Sequence, residues 1–191
     1  VLILDLTVSY AKKHHVIHSA VILFGIITAV GFLPVHEGSI FGGMYNSSPL
    51  LWTMKNILNM ALLIVLMQSV KWLRKPENID KSSEYFILLF STLIGMDFMI
   101  SSGDFLMFYI GLELATIPAT VLVAFDKSRN TSAEAGIKFI FSSALSSGIL
   151  LLGLSFIYGT TGSIYFAEVF SAFQSNSLQI LGFILFLSGM G

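Results

Sequence analysis

Phe105-Leu-Met-Phe-Tyr-Ile-Gly-Leu-Glu113-Leu-Ala-Thr-Ile-Pro118-Ala-Thr-Val-Leu-Val123 is the stretch that decides the fold. It matches the roughly twenty apolar residues that cross a hydrocarbon core as a helix, yet it holds an acid and a proline. Glu113 lies about nine residues from one end and about a dozen from the other, or roughly 14 Å from either surface at 1.5 Å per residue. A short side chain at that depth cannot snorkel to water, so it must be neutral, paired or hydrated. Tyr109, Thr116 and Thr120 fall at helical spacing on the same face and offer hydroxyl partners or anchors for water. Pro118 cannot donate to the carbonyl of Leu114, and a helix break is expected there, one turn past the acid. Two readings stand beside each other: an intramembrane acid that moves protons, and a protonated acid that glues two helices by a hydrogen bond.

The rest of the chain supports a membrane setting. Hydrophobic residues make up 55% and charged residues 11%, with a mean hydropathy of +0.85, whereas soluble domains carry about a quarter charged residues. A net charge of −1 gives no basic face for nucleic acid. The absence of cysteine excludes disulfides, thiolate metal sites, Cys-ligated iron–sulfur clusters and cysteine nucleophiles within this sequence. Phosphate loops, dinucleotide fingerprints and nucleophile elbows are also missing. No cofactor and no metal is therefore expected here; His14, His15 and His18 read as solvated loop histidines.

Apolar stretches cover residues 1–11, 16–35, 51–73, 84–102, 104–125, 135–158 and 178–191. Five are long enough to span, and the first and last are expected to be cuts through longer helices, since Val1 and Gly191 both fall inside apolar runs. Breakers separate them: His14 and His15, the segment from Pro34 to Pro49, Lys75-Pro76, Ser101-Ser102-Gly103, Ser128 to Thr131, and Gly159 to Ser163. No period-two alternation supports a β-barrel. The fold class is all-α, a polytopic transmembrane helix bundle. Residues 1–102 would hold a partial first helix and helices two to four; residues 103–191 would hold helices five and six and the start of a seventh.

Basic residues set the orientation, because Lys and Arg concentrate in cytoplasmic loops. Lys12, Lys13, Lys71, Arg74, Lys75, Lys81, Lys127 and Arg129 all fall in alternate connections, and the opposite connections carry none. Lys55 and Lys138 depart from the rule. Lys55 sits just inside the third stretch, where it can snorkel to the outer headgroups. Asp97 and Asp104, near the outer ends of their helices, read as interfacial or capping residues. Lys138 lies about one turn inside the cytoplasmic end of the sixth stretch. Thr131-Ser-Ala-Glu134 reads as a capping box before it, and Glu134 stands at the i,i+4 position for an ion pair. Depth counting leaves a gap of about 12 Å between Glu113 and Lys138, so direct contact is not expected. Ser142 and Ser146 continue the Lys138 stripe, with Ser143 and Ser147 beside it. Such hydroxyls either hold water leading inward or, with Ala144 and Gly148, allow close helix packing.

Four blocks then carry a resemblance: Gly111-Leu-Glu-Leu-Ala-Thr-Ile-Pro118, Ser132-Ala-Glu-Ala-Gly-Ile-Lys138-Phe, Ser146-Ser-Gly-Ile-Leu-Leu-Leu-Gly153 and Tyr158-Gly-Thr-Thr-Gly-Ser163. In this order they resemble the antiporter-like subunit N (subunit 2) family of the proton-pumping NADH:quinone oxidoreductase, respiratory complex I. The resemblance implies an inverted-repeat fold containing a broken seventh helix, of which this chain covers an incomplete first repeat. It implies a proton relay of Glu113 and Lys138, with a lysine beyond Gly191 as the partner of Glu113. It also implies partners among the other complex I membrane subunits and lipids, with flavin, iron–sulfur clusters and quinone held elsewhere. The implied localisation is an energy-transducing membrane, in bacteria the cytoplasmic one. Two alternatives stay open: a subunit of an Mrp-type cation/proton antiporter, which shares the acid and the proline, and a structural membrane scaffold.

Overall fold

A segment surrounded by hydrocarbon must satisfy its backbone N–H and C=O groups internally, which favours helices. The computed structural model describes residues 13–33, 37–126, 129–173 and 176–190. The expected first stretch at 1–11, Lys12, Pro34, His36, Lys127, Ser128 and Gly191 lie outside the described residues, as do the side chains of Lys13 and His14. The helices are α1 (Lys13–Val30), α2 (Pro49–Leu73), α3 (Ser82–Ser101), α4 (Phe105–Val123), α5 (Asn130–Thr161), α6 (Phe166–Ser171) and α7 (Ser177–Met190). Among the described residues, four segments are long and apolar enough to cross a membrane: α2, α3 with its preceding turn, α4 and α5.

Three expectations shift. The second stretch, expected to span over residues 16–35, forms α1, which has 18 residues and ends at Val30; this is about 27 Å of helix and marginal for a hydrocarbon core. His15 and His18 lie inside α1 rather than in a loop. The connection that follows is not wholly irregular: β1 (Gly38–Ile40) and β2 (Tyr45–Ser47) pair antiparallel around a short 3₁₀ turn. In the orientation that the basic residues predict, this polar, glycine-rich connection falls at the outer end, where strand edges can meet water.

The sequence explains the ends of α2 and α4. Ser48 caps α2 by accepting from the Leu51 N–H, with Pro49 at the first helical position. Asp104 caps α4 by accepting from the Met107 N–H at 2.8 Å. The capping reading of Asp104 is thus correct, although the residue is fully buried rather than interfacial.

Two close helix pairs organise the bundle, α3 against α4 and α5 against α7. A Cβ at Gly111 would lie 2.7 Å from the Met99 nitrogen, and one at Gly95 would lie 2.6 Å from the Leu114 carbonyl carbon. On the other pair, a Cβ at Gly153 would lie 2.6 Å from the Gly182 oxygen, and one at Gly189 would lie 2.6 Å from the Ser146 oxygen. Small residues let membrane helices approach closely where burial from water gives no drive. Aromatic and aliphatic side chains complete two cores, one around Phe24, Leu66 and Phe86 and the other around Phe105, Ile157 and Phe186.

The outer turn between α3 and α4 is gripped from both sides. The Gly103 N–H donates to the Met44 oxygen at 2.7 Å, the Phe105 N–H to the Ile164 oxygen at 3.0 Å, and the Phe166 N–H to the Gly103 oxygen at 3.2 Å. Backbone bonds thereby tie the hairpin, the α3–α4 turn and the segment before α6 into one outer layer.

Gly111→Leu in the full-length protein is expected to lower the yield of folded, membrane-inserted material several-fold, because an overpacked side chain would have to displace α3 backbone; quantitative blotting of membranes reads the loss. Topology is checked separately with cysteines introduced into the cysteine-free background. Lys75→Cys should react with an impermeant maleimide from the cytoplasmic side and Ser39→Cys from the opposite side.

Candidate functional site

Glu113 sits on α4, half-buried, and its Oε1 is enclosed without a hydrogen-bond partner. One turn earlier, Tyr109 lies within electrostatic reach of the carboxyl group. The expected stripe is not a hydrogen-bonded network around the acid. Thr116 Oγ1 donates to the Leu112 oxygen at 2.9 Å, and Thr120 Oγ1 donates to the Thr116 oxygen at 2.9 Å. Both hydroxyls serve their own helix rather than the acid, a common use of threonine in apolar surroundings.

Pro118 does not break the helix. α4 runs continuously from Phe105 to Val123 with Pro118 buried inside it. The two threonine bonds put extra donors into the turns on either side of the proline, which is how membrane helices accommodate such residues.

Lys138 stands on the exposed face of α5, and its Nζ lies 2.5 Å from Glu134 Oε1, with side-chain exposures of 74% and 63%. The structure thus forms the i,i+4 ion pair and does not bring Lys138 to Glu113. The capping box does not form: Arg129 occupies the N-cap position and makes no side-chain cap bond. Glu134 is instead drawn forward to Lys138, and Ser132 Oγ donates to the Val123 oxygen at 3.0 Å. Ser142 is exposed above Lys138, whereas Ser146 is half-buried against Gly189 of α7. At Ser146 the serine stripe is a packing surface. Gly148 takes no part, since a Cβ placed there would meet nothing within 4 Å.

Sequence reasoning missed a second group of ionisable side chains. Lys55 is 7% exposed, so it does not reach outer headgroups. Its Nζ donates to Tyr45 Oη at 2.6 Å and lies 4.6 Å from the centre of the Tyr45 ring. Asp97 on α3 lies within electrostatic reach of Lys55, and its Oδ1 is enclosed with no hydrogen-bond partner. The available signal was joint: a lysine that violates the charge asymmetry of the loops and an acid in the outer half of the next helix.

A multi-pass bundle of apolar helices, one of them carrying an acid, defines an integral membrane protein. Residues 102–191 match the family described as NADH:quinone oxidoreductase/Mrp antiporter, transmembrane. Over 98% of its length the chain is 44% identical to NADH-quinone oxidoreductase subunit N of Phocaeicola vulgatus, and covers 40% of that protein. It is 43% identical over 90% of its length to the subunit N of Azobacteroides pseudotrichonymphae, and covers 36% of it. The chain therefore spans about two-fifths of these relatives. Its fold matches a chain of respiratory complex I from Thermus thermophilus with bound aureothin, with a TM-score of 0.78 at 20% identity, covering all of this chain and 40% of the other. A chain of the archaeal membrane-bound sulfane sulfur reductase superposes with a TM-score of 0.74 at 21% identity, covering 98% and 40%.

Glu134→Gln in the full-length protein measures what surrounds Lys138. An exposed i,i+4 pair contributes about 0.3–0.5 kcal/mol, so denaturant unfolding should scarcely move if that face meets water. A loss of more than about 2 kcal/mol would show that other parts of the complete protein bury the pair.

Proposed function

We propose that the chain is a portion of a proton-translocating membrane subunit of an NADH:quinone oxidoreductase, with Glu113 as its central proton-holding group. The observation that supports this reading most directly is the enclosed, unpartnered Oε1 of Glu113 in the middle of α4. A scaffold would place Ser, Thr or Asn there at lower cost, whereas a carboxyl that keeps one oxygen uncommitted retains a place for a proton. Tyr109 lies within electrostatic reach of the group and leaves that oxygen uncommitted.

In this reading a cation on a later helix approaches or leaves Glu113, and the change in local charge alters whether the carboxyl holds its proton. Lys138 stands nearer the cytoplasmic end of its helix and assists entry, releasing or retaking Glu134 as charge moves. Redox energy arrives from other subunits, which hold the flavin, the iron–sulfur clusters and the quinone. The full-length protein belongs in this reading to the bacterial cytoplasmic membrane, surrounded by lipids and related antiporter-like subunits, and the bacterial sources of its relatives support that placement.

The shared description of the matching family keeps a second reading in view, a cation/proton antiporter subunit of the Mrp type. Sodium-dependent proton movement without NADH oxidation would select it.

Glu113→Gln in the assembled complex should reduce NADH-driven proton pumping on the order of tenfold, the low end for a side chain that transfers protons, while assembly is retained. Pumping in sealed membrane vesicles, normalised to subunit content, reads the effect. Normal coupled turnover in the assembled variant would overturn the proposal.

A further inference from the structure

α5 is longer than a hydrocarbon core is thick. Its 32 residues make about 48 Å of helix against a core of about 30 Å. The exposed Lys138–Glu134 pair marks its inner end, and Tyr158 stands about 30 Å further along. In the orientation that the basic residues predict, Tyr158 therefore lies at the level of the outer headgroups, where tyrosines collect in membrane proteins. Its side chain is 53% exposed.

At this level the chain folds back and leaves a cavity. Gly162, in the left-handed conformation, ends α5, and the return runs through Ser163 to Tyr165, which is bridged to Asp104 of the outer turn. The cavity between the return and the end of α5 measures about 580 Å³, within the usual span of about 300–1,000 Å³ for small-molecule sites. Its lining changes character along the helix. Tyr158 and three residues beyond the end of α5, Ser163, Tyr165 and Glu168, supply polar groups, whereas Leu151 and Leu154 line the part about 6–10 Å deeper. The polar end is held in place. Ser163 Oγ donates to Glu168 Oε2 and accepts from the Tyr165 N–H at 3.2 Å, so a hydroxyl tied to the backbone positions the carboxylate.

Charge selects the occupant. Glu168 is the one charged residue between Phe139 and Gly191, and the hairpin at residues 38–47 carries no charge. Lys55 is buried beneath that hairpin and engaged by Tyr45. A phosphate by itself would find no counter-charge among the described residues here. An ammonium would find a carboxylate, and tyrosine rings that attract a cation within about 6 Å of their centres.

We propose that this cavity binds the headgroup of an outer-leaflet phospholipid bearing a primary ammonium, of the ethanolamine type. The ammonium donates to Glu168 between Tyr158 and Tyr165, and the first acyl carbons lie on Leu151 and Leu154. The polar and apolar ends of the cavity match the two ends of such a molecule, and the carboxylate sets the preference against anionic, glycerol-type headgroups. A lipid so bound fastens the return segment and α6 to α5 from the membrane side. The inference rests on the membrane setting and the orientation, and not on proton transfer at Glu113.

The test places the assembled complex, carrying the full-length subunit, in nanodiscs containing a trace of a photoreactive phospholipid. Three probes share one diazirine-bearing acyl chain and differ only in headgroup: ethanolamine, choline or glycerol. After illumination, peptide mass spectrometry reads the label on the segment that holds Leu151 and Leu154. The ethanolamine probe should label it about threefold more than the glycerol probe, the scale of one exposed ion pair. Choline should fall between them, because it keeps the positive charge and lacks the N–H donors. Glu168→Gln retains an oxygen that can accept from Ser163, so it should assemble, and it should abolish the preference. Equal labelling by the three headgroups in the wild type would overturn the proposal, as would an undiminished preference in Glu168→Gln. Absence of label from all three would show that protein covers the cavity, and would overturn it too. The headgroup series on the wild type decides the matter even should Glu168→Gln fail to assemble. Labelling is read without turnover, so an unchanged preference in Glu113→Gln separates this inference from the proposed function.

Discussion

The close backbone contact between α3 and α4 governs the rest of the molecule. Gly95 and Gly111 let two helices meet where side chains would hold them apart, and that approach fixes the rotation of each helix. Once Gly95, Met99, Gly111 and Ala115 form the seam, Glu113 and Asp97 are driven to opposite faces. A membrane bundle has little hydrophobic drive to choose among rotations. Here the smallest residues choose, and the charged residues follow.

The fold was legible because the hydrocarbon constraint is severe. Long apolar runs, polar interruptions and the alternation of Lys and Arg between loops leave few arrangements open, and α2 to α5 appear within a few residues of where those patterns place them. What escaped was local. The hairpin at residues 38–47 has strands too short for a two-residue period to register. Pro118 suggested a break, but threonine hydroxyls on either side accommodate the proline. Thr131 to Glu134 has the spacing of a capping box, yet Lys138 competes for the same carboxylate and takes it.

The candidate site was legible in its residues and not in its bonds. Depth alone singled out Glu113, and helical spacing named Tyr109, Thr116 and Thr120 as neighbours. Tyr109 is the neighbour that lies within electrostatic reach of the acid; the threonines serve carbonyls of their own helix as readily as a distant carboxyl. Lys55 was placed at a surface by counting residues from a helix end. Counting along one helix takes no account of a hairpin folded over it, and Tyr45 turns an apparent interface into an interior.

The Lys138–Glu134 pair bears on how the protein is made. Because the lysine has its counter-ion one turn away on the same helix, α5 can leave the translocon as an already neutralised unit, with no need to wait for a distant partner. Release of that pair can come later, once the remaining helices have assembled around it. A lysine carried on a long apolar helix is thereby kept quiet while that helix enters the membrane.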